Sequence, residues 1–298
     1  MNRREALKLM GGTFTFAALS AMAPLSAVAA RDDRSKEKSR LVFYFTGTGN
    51  SLFVAKAFSD SPLSIPQELK KGPQAYKADE IGFVFPDYAS SAPKIVRKFL
   101  ENNTFEADYI FSVITYGNFS CDVTEWWNDF AKGKGVSNDY INAILMVDNF
   151  LPVFDMNEQM AMDKDVDENL AALIKDVGER KEYIKPGDLG NFTKEGLKMM
   201  QDGIFASTAE QQFTIDKDKC VKCMTCGKVC PHGNFSLVDD AVTFAGECET
   251  CYACVQNCPQ KALSLKSRYE GMPGERNPQA RYRNPNISLN EIIRSNRQ

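Results

Sequence analysis

The sequence predicts an α/β protein: a doubly wound, five-stranded parallel sheet followed by a small α+β domain built around cysteines. Three observations carry this expectation. The apolar run Leu41-Val42-Phe43-Tyr44-Phe45 leads straight into a Gly/Thr turn and then a helical stretch, the order expected of a parallel strand buried on both faces. Two further apolar runs, Glu80 to Phe85 and Tyr109 to Thr115, also end in loops that precede helices. Eight of the nine cysteines fall between Cys220 and Pro259, in two copies of one spacing.

A chain of 298 residues has room for two domains, and its 43% hydrophobic and 25% charged content is that of an ordinary globular protein. The net charge of −3 gives no pull toward nucleic acid, so no nucleic-acid partner is expected. His232 is the only histidine, which argues against histidine-based metal or triad chemistry.

Met1 to Ala30 reads as a targeting segment. Arg3-Arg4 precede an uncharged run, Gly11 to Ala30, that ends in the small-residue motif Ala27-Val28-Ala29. The opening resembles a twin-arginine signal, with Ala6 where a phenylalanine is usual. A periplasmic or other extracytoplasmic location is therefore expected. Contact with a membrane is expected only through the export machinery or an uncleaved anchor. Residues 31–39 read as a flexible leader.

The first domain spans residues 40–155. Thr46-Gly47-Thr48-Gly49-Asn50-Ser51 follows the first strand, and Leu52 to Phe58 reads as a helix. Backbone N–H groups at such a turn face an anion, and glycines let it approach. The Walker pattern fails because no Lys follows the second glycine, and the dinucleotide fingerprint fails at Leu52. The remaining hydroxyls of Thr46, Thr48 and Ser51, with the Asn50 amide, suit a monophosphate held by neutral donors. A plain strand-to-helix turn uses the same glycines. The loops Pro86-Asp87-Tyr88-Ala89 and Thr115-Tyr116-Gly117-Asn118 also lie at carboxyl ends of strands, where open α/β sheets bind ligands. A fourth strand fits Ile141 to Val147, and Ser61 to Glu68, with two prolines, fits a short edge strand. Cys121 reads as a small buried apolar residue, and Trp126 and Trp127 belong to the helix after the third loop.

Residues 156–211 read as a helical connector, with one long amphipathic helix over residues 157–184 and a second piece near Thr193 to Met200. The cysteine domain occupies residues 212–266. Its two motifs are Cys220-x2-Cys223-x2-Cys226-x3-Cys230-Pro231 and Cys248-x2-Cys251-x2-Cys254-x3-Cys258-Pro259. Three closely spaced thiolates can ligate three corners of a [4Fe–4S] cube, while the fourth cysteine points away and completes the other cube. Cys220, Cys223, Cys226 and Cys258 are thus expected at one cluster, and Cys248, Cys251, Cys254 and Cys230 at the other. Zinc ribbons use pairs of Cys-x2-Cys, and a disulfide framework would not require this spacing twice. Phe235-Ser236-Leu237 and Leu263-Ser264-Leu265 repeat at the same 28-residue offset, so each half reads as strand, cysteine loop, strand. The tail, residues 267–298, lacks a clear period and reads as solvated, as a wrap around the domains, or as a docking segment.

The first loop resembles the FMN phosphate loop of flavodoxins, and the cysteine segment looks like a bacterial two-cluster ferredoxin. In this order the halves resemble a bacterial and archaeal family of flavodoxin–ferredoxin fusion proteins, from about Arg40 to Leu265. The resemblance implies a flavodoxin-like five-stranded sheet, FMN, two [4Fe–4S] clusters and electron transfer with a redox protein partner. It implies that Thr46 to Ser51 hold the FMN phosphate and that Tyr88 and Tyr116 stack on the isoalloxazine. Gly117 and Asn118 would address its polar edge, with Pro86, Ala89 and Thr115 beside them. A reductase with a small substrate over the flavin, and a ferredoxin with an empty docking module, are the other readings.

Overall fold

The computed structural model describes residues 38–267 and 274–298; the predicted targeting segment and most of the leader lie outside the described residues. Six strands, each parallel to its neighbours, lie in the order β2 (Leu63–Ser64), β1 (Arg40–Tyr44), β4 (Glu80–Pro86), β6 (Tyr109–Tyr116), β7 (Tyr140–Leu145) and β8 (Tyr183–Ile184). A separate parallel ribbon pairs β3 (Ala75–Lys77) with β5 (Thr104–Glu106).

The predicted five strands are therefore six. β8 is only two residues long and lies at the end of the stretch that reads as one helix over 157–184. That stretch is instead a short helix, Met156–Ala161, and a second, Val166–Gly178, followed by β8. Asp165, with φ of 47°, turns the chain between the two helices. Of the apolar stripe Leu170, Leu173, Ile174 and Val177, Ile174 is exposed and the other three are buried, and the burial stops at the end of the second helix.

Phe43, Phe83 and Phe85 share one face of the sheet. Phe83 and Phe85 meet Trp127 of the helix Val123–Gly133, and Phe43 meets Phe99 of the helix Lys94–Asn102. Trp127 is fully buried, and its indole donates to Ser112 Oγ at 2.8 Å, so the polar handle of the largest core side chain is satisfied. On the other face Phe58, from the helix Asn50–Phe58, packs on Phe111. A Cβ on Gly82 would come within 2.3 Å of that Phe111 ring, so glycine in this central strand leaves room for the aromatic. Helices on both faces bury the sheet, and only its strand ends remain for function.

The cysteine domain is a pseudo-repeat. β9 (Phe213–Ile215) pairs antiparallel with β12 (Leu263–Leu265), and β10 (Phe235–Val238) with β11 (Ala241–Phe244). The strands flanking each cysteine loop thus pair with those of the other half, and Phe213, Phe235 and Phe244 pack between the two pairs. The described part of the tail, residues 274–298, packs on the domains at several points. Ala280, Tyr282, Ile287 and Ile292 are buried, and the helix Leu289–Asn296 starts with a capping box of Ser288 and Glu291.

At the amino edge of the sheet Glu80 is buried and receives charged hydrogen bonds from Arg40 Nε at 2.7 Å and Arg180 Nε at 2.8 Å. Burial alone would raise its pKa, but the two guanidiniums outweigh burial and hold the carboxyl below its ordinary value of 4.5. Both arginines are partly exposed, so Glu80→Gln should cost about 2 kcal/mol, less than the loss of a fully buried pair. The wild-type advantage should be complete above about pH 5 and vanish as the pH falls through the lowered carboxyl value. Thermal melts of the two proteins at pH 7 and pH 3.5 check this; an equal gap at both would show that the charge is not responsible.

Candidate functional site

Each cysteine loop is a turn locked in backbone geometry that side chains rarely adopt. Lys222 and Met224 have φ of 57° and 56°; Thr250 and Tyr252, one repeat on, have 55° and 53°. Left-handed residues cost on the order of 1 kcal/mol each, so a repeated pair marks a conformation that something else must hold. Each loop then enters a four-residue helix, Thr225–Lys228 or Ala253–Gln256. The loop and first helical turn together present three sulfurs, and Cys230 and Cys258 follow beyond the helices.

The sulfurs gather in two interleaved sets. Cys220, Cys223, Cys226 and Cys258 line one cavity, walled by Ile215, Val221, Met224 and Val242. Cys230, Cys248, Cys251 and Cys254 line another, walled by Phe213, Phe235 and Tyr252. None of the nine cysteines forms a disulfide. Backbone amides point at the sulfurs: Asn234 N–H donates to Cys230, Thr250 N–H to Cys248 and Ala262 N–H to Cys258, at 3.3–3.5 Å.

The two sets differ in burial. Cys230, Cys248, Cys251 and Cys254 are buried, whereas Cys223 is exposed beside the exposed Val221. Burial pushes the Cys248 and Cys226 thiols up to about 12 and raises Cys230, Cys251 and Cys254 as well. Thiolates so placed need a cationic partner, and a cluster's iron is such a partner; the donor set fits the group. At Cys223 the penalty of burial is outweighed, because its sulfur lies 3.3 Å from the Thr225 hydroxyl and is further stabilised by backbone donors and Lys228.

A third cavity, of about 340 Å³, opens at the carboxyl ends of β1, β4, β6 and β7. The predicted residues Thr46, Gly47, Thr48, Asn50, Ser51, Pro86, Tyr88, Ala89, Thr115, Tyr116 and Gly117 all line it. Gly49 and Asn118 do not. The Gly49 amide is spent on Thr46 Oγ1 within the turn, and both the backbone and side-chain amides of Asn118 donate to Asp148 Oδ2. Asn50 has a different task from the one expected. Its side chain donates to the Val147 carbonyl and accepts from Tyr282 and Asn284, so it braces the loop. Thr46 and Thr48 accept with their hydroxyl oxygens, from Gly49 and Asn149, which leaves each hydroxyl hydrogen for a ligand. The amides of Gly47, Thr48, Asn50 and Ser51 donate to no acceptor among the described residues. Free amides at a helix N-terminus are the donors that a phosphate requires.

Residues 212–259 match a 4Fe-4S dicluster domain family. The chain is 40% identical over 57 residues to a ferredoxin of Methanothermococcus thermolithotrophicus, a match covering 18% of this chain and 95% of that protein. It is also 30% identical over 92 residues to a probable iron-sulfur protein of the Frd operon of Proteus vulgaris, covering 24% of this chain. That match spans only 59% of the Proteus protein. Through its dicluster domain this chain belongs to the 4Fe-4S ferredoxins. Iron–sulfur electron transfer is the function of that domain.

The ferredoxin domain also borders the large cavity, through Thr250 and Tyr252. A Cβ on Gly47 would come within 2.7 Å of the Cys251 carbonyl, so the glycine of the first loop lets the cysteine loop lie against it. Tyr88 is held well above its ordinary pKa by burial and by the nearby Cys251 and Glu249. Asp87, absent from the expected site, lines the cavity too; burial pushes its carboxyl well up, toward the proton-bearing form. Asp148, Asn149 and Phe150 follow β7 and lie at a strand's carboxyl end like the predicted loops, so the same rule reaches them. Leu197, Met200 and Ile204 of the connector helix close one side. Their helical spacing is visible in the sequence, but what that stripe faces is not.

The interleaved sets have a direct consequence. Cys258→Ala should remove the cluster of the first cysteine loop and leave that of the second, lowering iron from about eight to about four per chain. Cys230→Ala should do the converse. Iron and sulfide counts with low-temperature spectra of each reduced variant check this; loss of the cluster of the same loop would overturn the interleaving.

Proposed function

We propose that this chain is an exported flavo-iron–sulfur electron carrier. In this reading it has the flavodoxin–ferredoxin fusion plan, with FMN bound in the 340 Å³ cavity at the carboxyl edge of the sheet. The observation that carries the reading is a shared wall: Gly47, Thr48, Asn50 and Ser51, whose amides have no acceptor among the described residues, line the same cavity as Thr250 and Tyr252 of the buried cysteine loop. The strand order to either side of β1 supports it, since open α/β sheets bind ligands where that order reverses. FMN, when bound, exchanges single electrons with a cluster and electron pairs with other acceptors.

The chain's own residues supply position and insulation. Thr46 to Ser51 offer neutral donors to a phosphate, Tyr88 and Tyr116 offer ring faces, and the Gly47–Cys251 contact keeps the two cofactor sites adjacent. The less buried set, with Cys223 exposed and Cys220, Cys226 and Cys258 half-buried, is the one a redox protein partner reaches, while the buried set lies on the cavity side. Export is supported by Arg3-Arg4 and Ala27-Val28-Ala29.

A second reading, reduction of a small substrate, is favoured by the apolar wall of Leu197, Met200 and Ile204 and by Asp87, a carboxyl on the same cavity whose pKa burial raises. Turnover that is lost in Tyr88→Ala would select it over the carrier.

Protein purified without oxygen should contain about eight irons, matching sulfide and one FMN per chain. The same iron without flavin would overturn the flavin reading and leave an exported ferredoxin with a docking module. Replacing Arg3 and Arg4 together by Lys should hold the protein in the cytoplasm, as read by fractionation; unchanged export would exclude a twin-arginine route.

A further inference from the structure

The turn that carries the free amides is fixed from behind by the end of the chain. Asn284 donates its backbone N–H to the Thr48 carbonyl at 2.8 Å, and Asn296 Nδ2 donates to the Thr46 carbonyl at 2.9 Å. The Tyr282 hydroxyl and Asn284 Nδ2 both donate to Asn50 Oδ1, at 2.6 Å and 3.2 Å. Tyr282, Asn284 and Asn296 are buried, and none of them lines the cavity. Gly49 adopts φ of 107°, and a Cβ there would meet Asn284 and Ile287 at 3.0 Å, so the tail packs flush against the turn.

The same segment grips the ferredoxin domain. Tyr282 N–H donates to Gln256 Oε1 at 2.7 Å, and Gln256 Nε2 donates to the Asn149 carbonyl at 3.2 Å. Asn149 Nδ2 returns to Thr48 Oγ1 at 2.5 Å, closing a ring of contacts through the tail, the second cysteine-loop helix and the first loop. Every bond to the turn from this ring uses one of its carbonyls, hydroxyl oxygens or the Asn50 side chain. Its N–H groups are left over.

We propose that Tyr282 and Asn284 are positioning residues for the phosphate site: the C-terminal segment holds Thr46 to Ser51 in the conformation that presents its amides to an anion. The proposal rests on the FMN reading for its ligand, but not for the loop geometry it invokes. Tyr282→Phe keeps the packing and removes one buried donor from Asn50, so the turn loses one of its braces while the clusters keep all their ligands.

The test uses the full chain, loaded with its clusters. FMN affinity, read from quenching of flavin fluorescence, should fall about five- to tenfold in Tyr282→Phe, the value of one buried hydrogen bond. Riboflavin, which lacks the phosphate, should bind both proteins alike, and the iron content should not change. Hydrogen exchange of residues 47–52 should quicken in the variant, with or without flavin. Asn284→Ala offers the same readouts should Tyr282→Phe accumulate poorly. Unchanged exchange in residues 47–52 overturns the positioning role, as does an equal loss of FMN and riboflavin. Wild-type protein that takes up no FMN but shows the quickened exchange in the variant would overturn the flavin reading and leave the positioning role standing.

Discussion

Four sulfurs buried against the carboxyl edge of a parallel sheet are the constraint on which the rest of this structure depends. A thiolate in such surroundings is disfavoured by burial, and Cys230, Cys248, Cys251 and Cys254 all show it. Cluster iron would supply the positive charge that lets sulfurs so buried act as thiolate ligands. The left-handed residues at Thr250 and Tyr252 follow from the same demand. They aim sulfurs inward from a loop too short to do so in relaxed geometry, and ligation offsets the strain.

Interleaving the ligands then fixes the architecture of the ferredoxin domain. Because Cys230 belongs with the second loop and Cys258 with the first, neither half can assemble alone. The strands obey the same exchange, β9 with β12 and β10 with β11. One set is consequently driven inward, against Gly47 and the large cavity, and the other outward, where Cys223 is exposed. The asymmetry leaves one cysteine set nearer solvent and the other buried.

Cysteine spacing is fully legible in the sequence because ligand geometry is local: three sulfurs on one loop and one beyond a short helix leave a fixed periodic trace. The central strands β1, β4, β6 and β7 are legible for a similar reason, as apolar runs that lead into glycine, proline or aspartate. β8 escapes because two residues carry no period, and β3 and β5 because each has only one side chain, Tyr76 or Phe105, turned toward the core. The site is legible as three loops at strand ends. Its back wall is not. Asn284 and Asn296 look like solvated polar residues in a tail, and only the fold reveals that they satisfy carbonyls on a loop more than two hundred residues away.

That hidden wall explains a division of labour within the Thr46 to Ser51 turn. A turn that bound an anion with its amides while its carbonyls stayed unpaired would carry buried acceptors without partners, and each would cost on the order of 1–3 kcal/mol. The tail removes that cost by donating to the Thr46 and Thr48 carbonyls, and Tyr282 does the same for Asn50. The donors of the turn can then face one way and its acceptors the other. In the proposed phosphate site the acceptor side of the turn is satisfied by the segment that runs from Tyr282 to Asn296, which leaves its donors for the ligand.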